Sequence, residues 1–416
     1  MKKRMIAAIL AGLMLLSLAA CGGNNGSGGG NTGGSTGGNS TGGTGGSTGG
    51  GGASDMKIAM ITDSGDITDQ SFNQMTYETA KAWSEANGAS FTYYKPEKDT
   101  DEARDAAVDL AAANGANIII MPGYMFSAAV VNQSDMYPDI KFIALDVGEG
   151  DLCEKGVGKA GLEYDYNPAN WNVADYYNTA NTYCAVYQEQ IPGYMAGYAA
   201  VKLGYRHLGF LGGMSVPAVM RYGYGYVQGA NAAAEELGVA GDVTIEYVYG
   251  GQFYGDADIT ATMDTWYNTL GVEIVFACGG GIYTSAAEAA AKVGGKVIGV
   301  DSDQAPIIDG AYGDGMTVTS AMKGLDATVN MVLTDIMNGK WSDHVGKIEN
   351  LGMVSSDPAS NFVQLPIGTT QWADGFQKED YLQLVIDIND GTVTISDDIS
   401  AMPSVSINVT EYGSIK

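Results

Sequence analysis

Asp63, Ser64, Phe72 and Asn73 lie within eleven residues of one another, in the stretch Lys57 to Gln74. A carboxylate, a hydroxyl, an amide and an aromatic ring in one loop can together read a polar, ring-bearing small molecule. Further on, Asp146 and Asp301 each stand at the end of an apolar run, and Lys323 follows Thr319-Ser320-Ala321-Met322. An ionised carboxylate is an acceptor-only group suited to a diol, through charge-assisted bonds worth about 1.5–3 kcal/mol. An aromatic face stacks on a flat ring for about 1–3 kcal/mol. For each Asp alone a turn or helix cap is an equal explanation, since Asp is favoured there anyway.

Catalytic chemistry has less support. The sequence has two histidines, His207 and His344. His207 opens an apolar run, which makes it structural, and His344 sits in a polar loop. Outside the low-complexity stretch Gly22 to Ser54 no G-x-S-x-G turn is present, and no pair of histidines stands at ligand spacing, so triad and zinc chemistry are disfavoured. Asp63, Asp66 and Asp69 are three apart, which does not meet the alternating acidic pattern and central glycine of a calcium loop; loop solvation and helix capping account for Asp66 and Asp69. Cys278-Gly279-Gly280-Gly281 follows a strand and precedes a helix. Its amides could cradle an anion, but without a P-loop lysine the favoured reading is that glycine lets a ligand ring or the backbone approach closely. No cofactor or metal is expected.

The elements that must position these residues alternate. Ile58 to Ile61 is β-branched and apolar and is stopped by Asp63-Ser64-Gly65, as in a buried strand. A helix-period segment with Phe72, Met75, Tyr77 and Trp83 follows. Phe91 to Lys95, Asn117 to Met121 and Lys141 to Leu145 read as strands, with a helix over Asp99 to Ala113 and a loop at Pro122-Gly123-Tyr124. Repeated βα units imply a right-handed, mainly parallel sheet, and open sheets of this kind bind ligands at the carboxyl ends of their strands. Gly148 to Asn181 breaks the rhythm with Tyr164, Tyr166, Trp171, Tyr176 and Tyr177. This is a decorated loop beside a cleft or a packing patch, and packing is favoured because aromatic clusters are usually core. A second run of βα units follows: strands over His207 to Leu211, Val243 to Tyr249, Glu273 to Ala277 and Lys296 to Val300, and a helix over Val216 to Leu237. Gly212-Gly213 makes a turn. Thr317 to Ser320 is a strand followed by a helix over Ala321 to Met337. In the tail, a helical pattern near Asp380 to Leu384 and strands near Leu384 to Ile388 and Thr392 to Ile395 are expected.

The amino terminus has a basic Met1 to Arg4, an apolar Met5 to Ala20 too short for a standard span, and Leu18-Ala19-Ala20-Cys21. This matches a lipoprotein signal peptide ending at a lipidated Cys21, whose acyl chains (palmitate or similar) would anchor it stably. Gly22 to Ser54 holds only Gly, Asn, Ser, Thr and one Ala. It cannot bury apolar surface, so a disordered tether is expected, spanning roughly 30 Å as a flexible coil and suited to a thick-walled, Gram-positive cell. The net charge is −27, which argues against nucleic-acid binding and charge-driven adhesion to anionic lipid. Beyond Cys21 there are Cys153, Cys184 and Cys278, enough for one disulfide at most, with Cys153–Cys184 conceivable.

The motif from Thr62 to Gln74, TDSGDITDQSFNQ, resembles the T-D-x-G-x-x-D-x-S-F-N-Q opening of the basic membrane lipoprotein (BMP, PnrA-like) family. That family comprises the purine-nucleoside-binding lipoproteins of bacterial ABC importers. Gln188 to Gly197 is similar to its E-Q-x-G-x-x-x-G helix, and Gly209 to Met214 to its G-F-x-G-G-M segment. Ala144 to Asp146 is similar to its A-x-D, Gly299 to Gln304 to G-V-D-x-D-Q, and Thr319 to Lys323 to T-S-x-x-K. The resemblance covers most of Lys57 to Leu351. It implies a two-lobed type I periplasmic-binding-protein-like α/β fold, divided as 56–187 with 317–340 and 188–316 with 341–416. It implies that Asp301 binds ribose hydroxyls aided by Lys323. It assigns Asp63 and Asn73 to the base, Asp146 to base or sugar, and Phe72 to stacking. Ser64 and Gly213 would also border the ligand. The family uses a second-lobe Phe on the other face of the base; this sequence leaves it unmatched, with Tyr283 and Tyr124 as candidates. The implied partners are a nucleoside, an ABC permease with its ATPase, and the membrane through the lipid. A receptor for another small polar ligand, such as a sugar or signalling molecule, and an extracellular α/β hydrolase using carboxylates are the alternatives.

Overall fold

The structure is a computed structural model, described here for residues 52–416. The signal peptide, Cys21 and nearly all of the tether lie outside the described residues. At the tether's end, Ala53–Asp55 forms one 3₁₀ turn where no order was expected.

The first sheet contains β1 (Lys57–Ile61), β2 (Ser90–Tyr94), β3 (Ile118–Pro122), β4 (Lys141–Leu145) and β5 (Thr182–Tyr187). Its helices are α1 (Phe72–Asn87), α2 (Asp101–Ala113), α3 (Ser127–Gln133) and α4 (Glu149–Lys159). The second part begins with α5 (Gln190–Lys202), β6 (His207–Gly212), α6 (Pro217–Leu237), β7 (Thr244–Tyr249) and α7 (Ala257–Thr265). It continues with β8 (Ile274–Cys278), α8 (Tyr283–Ala291), β9 (Lys296–Asp301), α9 (Ala305–Tyr312) and β10 (Thr317–Lys323). The remaining elements are α10 (Leu325–Met337), β11 (Ile348–Leu351), β12 (Val363–Gln364), α11 (Lys378–Asn389) and β13 (Asn408–Ser414).

The strand orders are β11-β5-β4-β3-β1-β2 and β12-β10-β9-β8-β6-β7-β13. Every pairing in the first sheet is parallel; in the second, β10 with β12 is antiparallel. β3 is buried along its whole length and β1 beyond Lys57, which explains their unbroken apolar runs: a parallel strand covered by helices on both faces has no polar side.

Several boundaries differ from expectation. β10 stays in the second sheet beside β9, and the chain returns to the first lobe only with α10, which packs on α1 through Leu325, Val329 and Leu333 and through Trp83 Nε1 donating to Thr334 Oγ1 at 3.0 Å. β11 then pairs with β5 in the first sheet, although 341–416 was expected in the second lobe. The tail has one helix, α11, over the residues expected to hold both helix and strand, and its strand is β13 rather than Thr392 to Ile395. Tyr381, Leu384 and Val385, at i, i+3 and i+4, are buried on one face of α11, so the apolar residues expected to form a strand belong to a helical stripe. β5 was missed because it follows the Asn- and Tyr-rich loop directly. Cys153, Cys184 and Cys278 are buried free thiols, so no Cys153–Cys184 bridge forms.

α5 and α6 cross at backbone contact. A Cβ added at Gly193, Gly197, Gly225 or Gly229 would fall 2.0–2.2 Å from a carbonyl oxygen of the facing helix. Glycine is required there by space, not by dihedral angle. Gly197→Val is therefore expected to destabilise the chain by about 1–3 kcal/mol or more through overpacking, read as a lower urea midpoint at unchanged m-value.

Candidate functional site

The chain passes between the lobes three times: after β5, after β10 and after β11. The carboxyl ends of the two sheets face one another across a cavity of about 920 Å³. In the first sheet the strand order turns back between β1 and β3, and in the second between β6 and β8. These are the switch points where loops part and leave a crevice.

Asp63 follows β1. Its Oδ1 accepts from Gly65 N at 2.6 Å and Asn73 Nδ2 at 2.8 Å. Burial pushes its pKa up to about 6, against the lowering effect of those two hydrogen bonds. Asn73 is 2 % exposed. Its Nδ2 donates to Asp63 and to Asp69 Oδ2 at 2.9 Å, and its Oδ1 accepts from Asp63 N at 3.2 Å. Both amide hydrogens are thus spent inside the loop. Asn73 thereby braces Asp63. Asp69 caps α1, accepting from the backbone N–H groups of Ser71, Asn73 and Gln74 at 3.0 Å each; those amides have no intrahelical partner. Asp66 instead pairs with Lys95.

Behind this loop lies the charged centre. Lys323, at the end of β10 and 4 % exposed, places Nζ 2.7 Å from Asp146 Oδ2, 3.4 Å from Glu189 Oε1 and 3.8 Å from Asp301 Oδ1. The rings of Phe72, Tyr187 and Tyr222 surround it with centroids at 4.9, 5.4 and 5.7 Å. Burial opposes the ammonium charge, but the three carboxylates outweigh it and raise the Lys323 pKa. Burial lifts Asp146 to about 6, against the pull of Lys323 and with repulsion from Glu189. Asp146 Oδ1 is buried without a hydrogen-bond partner among the described residues. Glu189, fully buried, also accepts from Arg221 Nε at 2.6 Å. Asp301 Oδ2 accepts from Ser71 Oγ of the other lobe at 2.6 Å. Asp146 and Asp301 have φ of +57° and +63°, a left-handed conformation that costs an L-residue about 1–2 kcal/mol. Such strain persists where surrounding contacts hold it, commonly at functional sites.

Of the expected residues, Asp63, Ser64, Phe72, Asn73, Tyr124, Asp146, Asp301 and Lys323 line the cavity, and Gly213 and Tyr283 do not. Tyr283 is 6 % exposed and packs in the second-lobe core. The second-lobe aromatics at the cavity are Phe253, Tyr254 beside it, and Tyr222 of α6. Phe253 lies against glycines: a Cβ on Gly213 would fall 2.5 Å from its ring and one on Gly280 2.9 Å from its carbonyl oxygen. The glycine turn after β8 thus lets Phe253 approach closely. Phe253 was illegible because Gly250 to Gly255 belongs to no periodic element; Phe flanked by glycines was its one signal. Glu189 and Arg221 were also missed as site residues. In the aromatic-rich segment, Tyr177 packs in the first core as expected, but Tyr164 and Tyr166 line the cavity rim, and Tyr166 is 77 % exposed. His207 is structural as expected, bonded to Glu246 Oε1 at 2.8 Å. His344 lies in the connection between α10 and β11, as expected of a loop residue, but its ring is buried against Tyr183 and bonded to Asp335 at 2.9 Å.

Residues 56–353 match the Bmp family model, described as ABC transporter substrate-binding protein PnrA-like. The chain belongs to this family. It is 25 % identical over 355 residues to the ABC transporter nucleoside-binding protein BmpA of Lactococcus lactis subsp. cremoris, covering 82 % of this chain and 89 % of that one. It is 25 % identical over 316 residues to basic membrane protein B of Borreliella burgdorferi, covering 72 % and 78 %. Its fold is that of solved ABC transporter solute-binding proteins from Aeropyrum pernix (TM-score 0.57, 18 % identity, 82 % and 87 % covered) and Conexibacter woesei (TM-score 0.58, 20 %, 82 % and 99 %). The type I two-lobed fold expected from sequence is the one observed. A Bmp-family chain is a substrate-binding protein of an ABC transporter and not an enzyme; it takes a small molecule and works with a permease and ATPase.

Asp63 with a pKa near 6 binds more protons folded than unfolded between about pH 4 and 6, so its contribution to stability is full below about pH 4 and is lost as pH rises through 6. Asp63→Asn removes that titration. The melting temperature of the variant minus that of the parent is expected to be more positive at pH 7.5 than at pH 4.5.

Proposed function

We propose that this protein is a lipid-anchored extracellular receptor that binds a nucleoside, of the purine class, between its lobes and delivers it to an ABC permease. The observation that carries the reading is one cavity bordered by an aromatic ring and a carboxylate from each lobe: Phe72 and Asp63 from the first, Phe253 and Asp301 from the second. A flat base has two faces to stack and a ribose has two hydroxyls to donate. Asp301 keeps lone pairs beyond those used by Ser71 and the long contact from Tyr222 at 3.5 Å, so a diol can pair with it. Tyr124, whose pKa burial raises to about 12, stays a neutral phenol able to donate to a base nitrogen. Asp63 Oδ2 makes no hydrogen bond among the described residues and faces the cavity loop, where it can accept from a base N–H. The nucleoside-binding name of the Lactococcus relative points the same way.

A purine nucleoside is expected to raise the melting temperature with the logarithm of its concentration, the linkage being about 2.7 kcal/mol at one hundred times Kd. Asp301→Ala should weaken nucleoside binding at least about tenfold, the loss of one charge-assisted contact, and free-base binding little. Equal losses for the two ligands would end the ribose assignment, and a shift with hexoses alone would favour a sugar receptor.

The lipid anchor rests on Cys21 and the residues before it. Cys21→Ala is expected to abolish acyl incorporation and release the protein from membranes into the medium, as followed by labelled-fatty-acid uptake and fractionation.

A further inference from the structure

The family match ends at residue 353, yet the chain beyond it reaches the cavity wall. Residues after α11 run across α6, tied by Gln228 to Ser396 through two hydrogen bonds of 2.9 and 3.0 Å and by Asn231 to Ser406 N at 2.9 Å. Ile399 from this run borders the cavity. β13 then adds a parallel strand to the outer edge of β7, with Ser414 level with Tyr249 and Ile415 N donating to Tyr249 O at 2.8 Å. Tyr412 OH donates to Glu246 Oε2 at 2.8 Å.

This brings Lys416 beside the loop that carries Phe253. That loop, Gly250 to Asp256, joins β7 to α7. Its inner side is held by Gly251 N donating to Gly213 O at 2.9 Å and by Gly281 N donating to Phe253 O at 2.9 Å. Its outer side rests on the end of β13: Gly251 has φ +81°, and a Cβ there would lie 2.9 Å from Lys416 Cβ. Asp256 joins the two. Its Oδ1 caps α7 by accepting from Asp258 N and Ile259 N at 3.0 Å each, while its Oδ2 accepts from Gln252 Nε2 at 2.8 Å and pairs with Lys416 Nζ. Gln252 Nε2 also donates to Tyr254 O at 3.0 Å. Phe253 thus sits between two residues whose polar groups converge, directly or through Gln252, on the carboxylate that Lys416 holds.

We infer that Lys416 is a positioning residue for the ligand site: delivered by β13, it holds Asp256 and Gln252 so that the Phe253 ring stays against the glycine wall, ready to stack on a base. The segment beyond the family match is thereby part of the binding apparatus. The affinity consequence rests on the proposed stacking role of Phe253; the bracing itself does not. A loop held before the ligand arrives loses less freedom on binding, so the brace acts on affinity through preorganisation.

The test has two arms on the full chain. In the first, hydrogen exchange of ligand-free Lys416→Ala is compared with the parent and with Lys416→Arg. Amides 251–256 are expected to exchange at least about fivefold faster in the alanine variant, with parent-like rates in the arginine variant and unchanged rates in the first sheet. In the second, titration with adenosine, inosine and free ribose is expected to show nucleoside binding about three- to tenfold weaker in Lys416→Ala, ribose binding unchanged, and no further loss on adding the change to Phe253→Ala. Unchanged exchange at 251–256 overturns the brace whether or not nucleosides bind. An undiminished Lys416→Ala effect in the Phe253→Ala background overturns the positioning role. If the parent binds no nucleoside, the proposed function fails, and the exchange arm alone still decides the brace.

Discussion

One buried ammonium has three carboxylates within 4 Å, from residues that follow β4, precede α5 and end β9. Three negative charges brought out of water together would repel one another and pay heavily for lost hydration. Lys323 offsets that cost for all of them at once, and Arg221 shares Glu189. Because Asp146 belongs to the first sheet and Asp301 and Lys323 to the second, the same electrostatic balance joins the lobes. It sits at the chain crossings: Glu189 follows the first, and Gly324 after Lys323 begins the second. Any movement that parts these strand ends would stretch the contact from Lys323 to Asp146.

The loops around that centre divide their work. Asp69 spends itself on the amino end of α1 and Asn73 on Asp63. In the Thr62 to Gln74 loop this leaves Asp63 Oδ2, the Phe72 ring and the Ser64 side chain to border the cavity. In the second lobe, glycines do the equivalent job by subtraction. Gly213, Gly279 and Gly280 leave the volume that Phe253 occupies. The first lobe thus fixes its ligand groups with hydrogen bonds, the second with close packing. The latch between them is short: Gln70 O accepts from Ser302 Oγ at 3.2 Å and Gln304 Nε2 at 3.0 Å, and Ser71 Oγ donates to Asp301.

Much of this was legible along the chain. The strand-end acids Asp63, Asp146 and Asp301 announced themselves because a parallel strand must stop at a turn, and Asp stops strands while staying available at the sheet edge. Phe253 and Glu189 did not. Phe253 lies outside any hydrophobic period, and Glu189 looks like a solvated helix start until its burial is known. Tyr283 misled because it opens a helix after the glycine turn, as a ligand ring would, yet its side chain turns into the core of α7 and α8.

Local chemistry in the sequence was sufficient for the βα alternation, the two-lobed class and the acids and ring of the Thr62 to Gln74 loop. Period, turn residues and motif spacing act over a few residues and survive any packing. Which strand joins which sheet was not local: β10 and β11 traded the lobes expected of them, since strand pairing depends on the whole path of the chain between crossings. The same holds for the ammonium shared among three acids, the ring set against glycines, and Lys416 beside Asp256. Those contacts join residues up to 177 positions apart, and only the folded chain brings such distant charges and surfaces within reach.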